Sequence, residues 1–280
     1  MKEPNLDVKV KEFFELIDIK PVSDLSWDAL KKKISAFGNP GRKFLRYMDR
    51  RVAINEKDNA ELNATKNASW GLADFICCRF DALRLMNSCQ WVVSTNLKFD
   101  NKRILEVGCD SGIFLCFLAW MYPEARFVGI DSCKEAIKVA QARAKSLKLK
   151  NIEFQAIPLE ELPAWNGKEK FDGAFTLLFW EELLDYNEGY PKELFQILAK
   201  LIVRDGFFVT QDQILFAEAI NLFVDQVEDA RFKLKGEGII DFEYSETEVI
   251  SGGQIKMRLF EKLPRIYRRK ATTEKETEGK

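Results

Sequence analysis

The residues best suited to bind a cofactor lie in one short segment, which reads Glu106-Val-Gly-Cys-Asp-Ser-Gly112. It begins at the end of an apolar run, residues 103–107, whose length and composition are typical of a buried parallel strand. A glycine-rich turn between a strand and a helix lets a ligand approach the backbone closely, and the helix N-terminus offers N–H groups to an anion. The segment therefore predicts a cofactor-binding turn, in a pattern that many nucleotide-binding folds share.

The residues of this turn also discriminate among cofactors. A dinucleotide fingerprint counted from Gly108 requires glycines at 110 and 113, where this chain has Asp110 and Ile113. A carboxylate at 110 also repels a pyrophosphate, and no Gly-Lys-Ser/Thr sequence follows to make a P-loop. S-adenosylmethionine has no phosphate and carries a sulfonium and an ammonium, so the acidic residue favours it over NAD or ATP.

A second carboxylate, Asp131, stands at the end of the next apolar run, residues 126–131. A carboxylate at the tip of a strand can accept hydrogen bonds from both hydroxyls of a ribose. Asp131 therefore supports a cofactor that contains adenosine, without choosing among cofactors of this kind.

The chain of 280 residues contains no histidine. This excludes Ser-His-Asp and Cys-His mechanisms, histidine general bases and almost every catalytic zinc site, so no metal centre is expected. The six cysteines show no CxxC spacing, and buried free thiols are the simplest interpretation. Methyl transfer from a sulfonium is compatible with this composition, because the protein contributes mainly alignment and desolvation.

Strands and helices are predicted to alternate from residue 101 onwards, which is typical of a doubly wound α/β sheet. The predicted strands are 103–107, 126–131, 151–156, 171–179 and 206–210, and the helices between them are 113–122, 134–149 and 191–203. A helix over 214–234 and two strands, 239–250 and 254–262, follow, with a hairpin turn at Ser251-Gly252-Gly253.

The first hundred residues are predicted to be helical, over 6–17, 26–37, 42–53 and 73–93, with a stop at Gly38-Asn39-Pro40-Gly41. The chain then divides into three parts. Residues 1–100 are expected to form an N-terminal helical cap that contacts substrate, and residues 101–263 the cofactor-binding domain. The charged tail 264–280 is expected to be disordered.

Residues 103–210 resemble a class I S-adenosylmethionine-dependent methyltransferase domain. The resemblance rests on the order and spacing of five pieces: Ile104-Leu-Glu-Val-Gly-Cys-Asp-Ser-Gly112, Phe127-Val-Gly-Ile-Asp131, Asn151-Ile-Glu-Phe154 with Glu160-Glu-Leu-Pro163, Phe171-Asp-Gly-Ala174, and Leu201-Ile-Val-Arg-Asp-Gly206. It implies S-adenosyl-L-methionine as the cofactor. It also implies a Rossmann-like, seven-stranded sheet, in which the two C-terminal runs supply an antiparallel hairpin.

The resemblance assigns cofactor-binding residues at the ends of the first two strands. They are Glu106, Gly108 and Gly112 at the methionine end, Cys109 and Asp110 in the same turn, Asp131 at the ribose, and Ser132 and Cys133 near the adenine. Two positions depart from the family. Asp110 replaces a glycine, and residues 156–159 lack the acidic residue that often contacts the adenine amine.

The segment after the fourth strand, residues 176–182, is expected to face the transferred methyl group. It lacks the Asn/Asp-Pro-Pro-Tyr/Phe motif of enzymes that methylate exocyclic amines of bases or glutamine side chains. Glu181 is the candidate catalytic base, and its alternative role is that of an acidic residue opening a helix.

The net charge of −1 predicts a small-molecule acceptor, methylated at oxygen or nitrogen, more than a nucleic acid. The alternatives are an RNA or protein methyltransferase and a non-catalytic binding module of the same fold. Basic clusters at residues 31–33 and 42–51 are either solvated surface or contacts to phosphate. With no apolar leader and no membrane-spanning stretch, the protein is expected to be cytoplasmic.

Overall fold

The structure is a computed structural model that describes residues 6–22, 25–54, 59–177, 190–213, 227, 230–242 and 253–263. The helices are α1 Leu6–Leu16, α2 Trp27–Ser35, α3 Asn39–Ile54, α4 Asn59–Lys66, α5 Trp70–Phe80, α6 Ala82–Ser94, α7 Ile113–Met121, α8 Lys134–Ser146, α9 Leu162–Asn166 and α10 Tyr190–Leu201. The strands are β1 Arg103–Val107, β2 Arg126–Ile130, β3 Ile152–Gln155, β4 Phe171–Leu177, β5 Ile202–Gln213, β6 Phe232–Phe242 and β7 Gly253–Lys262.

The seven strands form one sheet in the order β3-β2-β1-β4-β5-β7-β6. Strands β1 to β5 are parallel, whereas β7 runs antiparallel to both of its neighbours. The predicted Rossmann-like fold with a C-terminal antiparallel pair is therefore confirmed. The chain order reverses between β1 and β4, and in such sheets ligands bind in the crevice at the carboxyl ends of the strands beside this point.

Each face of the sheet is covered by an apolar core. On one face, α1, α6 and α7 pack against the strands, and the Phe13 ring of α1 lies 5.4 Å from the Phe117 ring of α7. On the other face, Phe195 of α10 packs against Phe208 of β5 at 5.8 Å. The N-terminal helices thus share one continuous core with the sheet. A smaller cluster joins α2, α3 and α5.

The N-terminal helices differ from the prediction in three places. The predicted helix 73–93 is two helices, because Asp81 ends α5 and begins α6 with a non-helical φ of −125°. Helix α4 was not predicted. The expected stop at residues 38–41 instead begins α3, since proline is well tolerated in the first turn of a helix.

The C-terminal strand pair also differs from the prediction. Strand β6 begins at Phe232, inside the predicted helix, and its last residue, Phe242, pairs with Gly253. Ser251 and Gly252 of the predicted turn lie outside the described residues. Two glycines interrupt the apolar pattern of β6, so the sequence did not predict where this strand begins. Gly236 lies at a bulge, and Gly238 lies under Trp91, whose Nε1 is 2.3 Å from the position of an added Cβ.

Within the described part of the chain, none of the helices has the length and apolar character needed to cross a bilayer.

Candidate active site

The turn between β1 and α7 contains three residues with positive φ: Gly108 at 72°, Asp110 at 46° and Gly112 at 74°. Asp110, which stands where the resemblance expects glycine, thus has a left-handed conformation, which aspartate tolerates better than most residues. At Gly112 an added Cβ would lie 2.7 Å from the Phe154 ring and 2.8 Å from Cβ of Ala140. The turn thus needs glycine there for both conformation and space.

The backbone N–H groups of this turn are used within the protein. Those of Gly108 and Cys109 donate to the carbonyl oxygen of Ile130 at 2.9 and 3.0 Å, and that of Asp110 donates to the Asp131 carboxylate at 2.9 Å. These three N–H groups are therefore occupied within the protein, whereas the expected N–H groups for an anion are those at the N-terminus of α7, which begins at Ile113. The end of β2 lies close enough to accept all three hydrogen bonds.

Asp131 stands directly after β2, and its side chain links two segments of the site. Oδ2 accepts the N–H of Asp110, and Oδ1 accepts the N–H of Cys133 at 2.8 Å. Each carboxylate oxygen has two lone pairs, so both can accept a further hydrogen bond. Burial, and then the charge of Asp110, raises the pKa of Asp131. Ser132 is exposed and Cys133 is half-buried.

Glu106 is the most deeply buried acidic residue of the site, with 2% of its surface exposed. Its Oε2 atom has no hydrogen-bond partner among the described residues. Burial raises its pKa well above the ordinary value, and the charges of Asp110 and Asp131 raise it further, while Arg84 lowers it. An unpaired buried oxygen is rare in folded proteins, and here it is a strong indication of a missing donor.

Asp110 is held by the N-terminal helices. Its carboxylate lies 3.0 Å from Nζ of Lys66 and accepts a hydrogen bond from Nδ2 of Asn67 at 2.7 Å. Burial opposes its ionisation, but the Lys66 ammonium and the hydrogen bonds from Lys66, Asn67 and the Ser111 N–H outweigh burial and lower its pKa. Sequence reasoning missed Lys66 and Asn67, because no local pattern connects them to a residue 43 positions away.

Arg143 makes a second connection between the turn and the N-terminal helices. Its fully buried side chain donates from Nε to the carbonyl oxygen of Ser111 at 3.1 Å and pairs with Asp74 of α5 at 2.6 Å. Sequence reasoning missed this residue too. The available signal was a charged residue on the apolar side of α8, between the buried Ala140 and Ala144.

Glu106 and Asp110 line a cavity of about 60 Å³, partly open to solvent, at the carboxyl end of β1, whereas Gly112, Asp131, Ser132 and Cys133 do not line it. Glu106, Gly108, Cys109 and Asp110 form one wall, and Lys66, Asp81 and Arg84 of the N-terminal segment form the other. Arg84 donates to Asp81 at 2.8 Å and to Gln211, at the end of β5, at 2.7 Å. Leu177, the last residue of β4, also lines the cavity, whereas Glu181 lies outside the described residues.

Residues 98–262 match the family model described as a methyltransferase domain, which spans more than half of the chain. The chain belongs to this family. Residues 98–262 are therefore a methyltransferase domain.

Three curated relatives show how broadly the family varies. An uncharacterized protein of Methanocaldococcus jannaschii is 28% identical over 55% of this chain and 48% of its own length. The (S)-coclaurine N-methyltransferase of Papaver somniferum is 26% identical over 43% of this chain and 30% of its own. A tRNA (guanine-N(7)-)-methyltransferase of Halalkalibacterium halodurans is 28% identical over 50% of this chain and 54% of its own. The chain spans about half or less of the length of these relatives.

Proposed function

We propose that this protein transfers the methyl group of S-adenosylmethionine to an oxygen or nitrogen atom of an acceptor bound at the carboxyl edge of the sheet. The observation that carries the proposal is the unpaired Oε2 of Glu106, buried in a cavity beside two further carboxylates, Asp110 and Asp131. A ligand with an ammonium and a sulfonium suits such a group, whereas a nucleotide phosphate does not.

The residues at the carboxyl ends of β1 and β2 fit the cofactor in charge and in hydrogen-bonding capacity. Glu106 accepts a hydrogen bond from the ammonium of the methionine end, and Asp131 uses its remaining lone pairs for the ribose hydroxyls. The turn residues Gly108, Cys109, Asp110 and Gly112 shape the space between them, and Ser132 and Cys133 flank the adenine. When bound, the cofactor would supply an electrophilic methyl group, which the acceptor atom would take as the carbon–sulfur bond breaks and S-adenosylhomocysteine leaves.

The chain itself contributes alignment and exclusion of water. Ile113, Phe114 and Leu177 give the cavity an apolar part, which keeps solvent from the reacting atoms. The pair of Asp81 and Arg84 lies opposite Glu106 and presents both a hydrogen-bond acceptor and a cation to the acceptor molecule. Glu181 remains the proposed proton acceptor.

Two acceptor classes follow from the sequence and the relatives. The small-molecule acceptor predicted from the balanced total charge is the first, and one relative is named as an N-methyltransferase of (S)-coclaurine. RNA is the second, and one relative is named as a tRNA methyltransferase. RNA is favoured by a specific observation, the concentration of Lys and Arg on α2 and α3 beside the site.

Calorimetric titration of the purified protein with S-adenosylmethionine and S-adenosylhomocysteine, with NADH and ATP as controls, tests the proposal. We expect micromolar binding of the first two ligands only. If a folded, cofactor-free sample binds neither of them, the protein is not a methyltransferase and the fold serves another role. If NADH or ATP binds equally well, the cofactor assignment of the cavity is wrong.

A further inference from the structure

One pair of N-terminal helices carries a net positive charge. Residues 25–54, which contain α2 and α3, have eight Lys or Arg residues and two acidic residues, a formal charge of +6. The rest of the chain is therefore −7, and the total of −1 conceals this separation. A charge asymmetry of this size is typical of contact with a polyanion.

The cations of α3 meet in a shallow basin between α3 and α4. Lys43, Arg46 and Arg50 line it together with Thr65 of α4. Two acidic residues also line the basin. Asp49 forms an ion pair with Lys31 at 3.4 Å, and Glu61 forms one with Arg50. Neither of these ion pairs involves Lys43 or Arg46. Lys43 and Arg46 are exposed to solvent.

The described side chains of the same helices form no exposed apolar surface of the kind that inserts into a bilayer. Their large apolar residues Leu30, Ile34 and Phe44 are buried in a cluster with Leu72 and Ile76 of α5. Among the described side chains, no large exposed hydrophobic residue belongs to α2 or α3. A helix that binds a membrane surface needs exposed apolar residues on the face opposite its charges. The basic residues of α2 and α3 are therefore better suited to the phosphates of a water-soluble ligand.

Helix α4 places the basin next to the cofactor cavity. Thr65 lines the basin, and Lys66, the next residue, lines the cavity and pairs with Asp110. The two spaces are thus separated by the width of one helix, about 10 Å. A ligand that fills both must carry phosphates at about this distance from the atom to be methylated, which a nucleotide chain does and a small acceptor does not.

We propose that the basin formed by Lys43, Arg46 and Arg50 binds phosphates of an RNA acceptor whose target nucleotide enters the neighbouring cavity. This inference rests on the proposed function for the identity of the cavity, and it names the acceptor class. Binding of the RNA backbone does not itself require the cofactor, so the two can be tested separately.

The test is fluorescence anisotropy of a labelled 20-nucleotide single-stranded RNA and of a tRNA transcript, each titrated with the full chain at several NaCl concentrations. We expect binding that weakens steeply with salt. The double substitution Lys43→Gln with Arg46→Gln removes two phosphate contacts, so the slope of log Kd against log salt for the single strand decreases by about 1.4.

A matched control is Arg126→Gln with Lys150→Gln, which removes one Arg and one Lys, both exposed, from the amino ends of the strands. We expect this control to bind RNA like the unmodified chain. Equal loss in both double variants, or no RNA binding by the unmodified chain, overturns the proposal. The proposal is also overturned if the chain binds phosphatidylserine vesicles or polyglutamate through Lys43 and Arg46 but does not bind RNA.

Cofactor titration of the same samples separates the two proposals. Normal binding of S-adenosylmethionine without RNA binding refutes the RNA surface and leaves the methyltransferase assignment intact. RNA binding without cofactor binding refutes the assignment of the cavity and leaves the basic surface intact.

Discussion

The two edges of the sheet carry charged residues of similar kinds, but among the described residues only the carboxyl edge has a buried carboxylate oxygen without a hydrogen-bond partner. At the amino edge, Asp172 accepts the N–H of Arg103 at 2.9 Å and lies 3.8 Å from Nζ of Lys102. The Arg103 side chain donates to Asn166 at 2.7 Å and lies 3.1 Å from a carboxylate oxygen of Glu169. At the carboxyl edge, Glu106 is buried with one oxygen unpaired among the described residues.

This difference shows how a charged edge that stabilises the fold can be told from one that binds a ligand. Charged side chains that pair with each other hold neighbouring strands and loops in place, and they have few hydrogen bonds left to make with a ligand. A buried group that lacks a partner costs free energy until a ligand supplies one. The predictions below test this contrast, from the largest expected effect to the smallest.

The largest effect is expected from Gly108→Val. A side chain at φ 72° strains the turn by about 1–2 kcal/mol and fills the space beside the backbone that the cofactor approaches. Calorimetry should then detect no binding of S-adenosylmethionine. Gly167→Val is the matched control, because Gly167 also has a positive φ of 63° but no atom lies within 4 Å of the added Cβ. Retained binding by Gly108→Val contradicts the assignment of the turn.

The second prediction compares one carboxylate from each edge. Asp131→Ala should weaken cofactor binding at least tenfold, about 1.4 kcal/mol, because the ribose loses its acceptor. Asp172→Ala removes a carboxylate that also accepts a backbone N–H at 2.9 Å, but at the opposite edge. Its cofactor affinity should stay within twofold of the unmodified value, about the error of the titration. Equal losses of cofactor affinity in both variants would contradict the difference proposed between the two edges of the sheet.

The third prediction concerns pH and Glu106. Its raised pKa means that the folded state retains a proton that the unfolded chain releases above pH 4.5, so Glu106 lowers stability as pH rises through that range. The free energy of unfolding of Glu106→Gln, measured with denaturant, should therefore decrease less between pH 5 and 8 than that of the unmodified protein. A cationic ligand favours ionised Glu106, so cofactor affinity should rise with pH only in the unmodified protein. Parallel pH profiles for the two proteins exclude this role.

The smallest effect is expected from Asp110→Gly, which restores the family residue. The change relieves a positive φ of 46° and removes the ion pair with Lys66, in which the Asp110 side chain is 41% exposed. Exposed ion pairs contribute about 0–1 kcal/mol, so stability and cofactor affinity should change little. A gain in affinity of tenfold or more indicates instead that Asp110 impairs cofactor binding.

Local sequence patterns were sufficient for the sheet and for the turn that shapes the cavity. The runs ending at Val107 and Asp131 predicted β1 and β2 to within one residue, because a buried parallel strand needs a continuous apolar run. The C-terminal pair was less accurate, since Gly236 and Gly238 interrupt the apolar pattern of β6 for reasons that lie in its neighbours.

The sequence by itself thus determined the family, and it predicted the cofactor class and the roles of Glu106 and Asp131, since each follows from a few adjacent residues. Tertiary structure alone decided that Lys66 and Asn67 hold Asp110, and that Arg143 joins the turn to Asp74 over 69 positions. It also placed the basic clusters of residues 31–33 and 42–51 beside the acidic cavity, because Thr65 lines the basin and Lys66 lines the cavity. Contacts between distant segments depend on how helices pack on the sheet, and no local spacing encodes that packing.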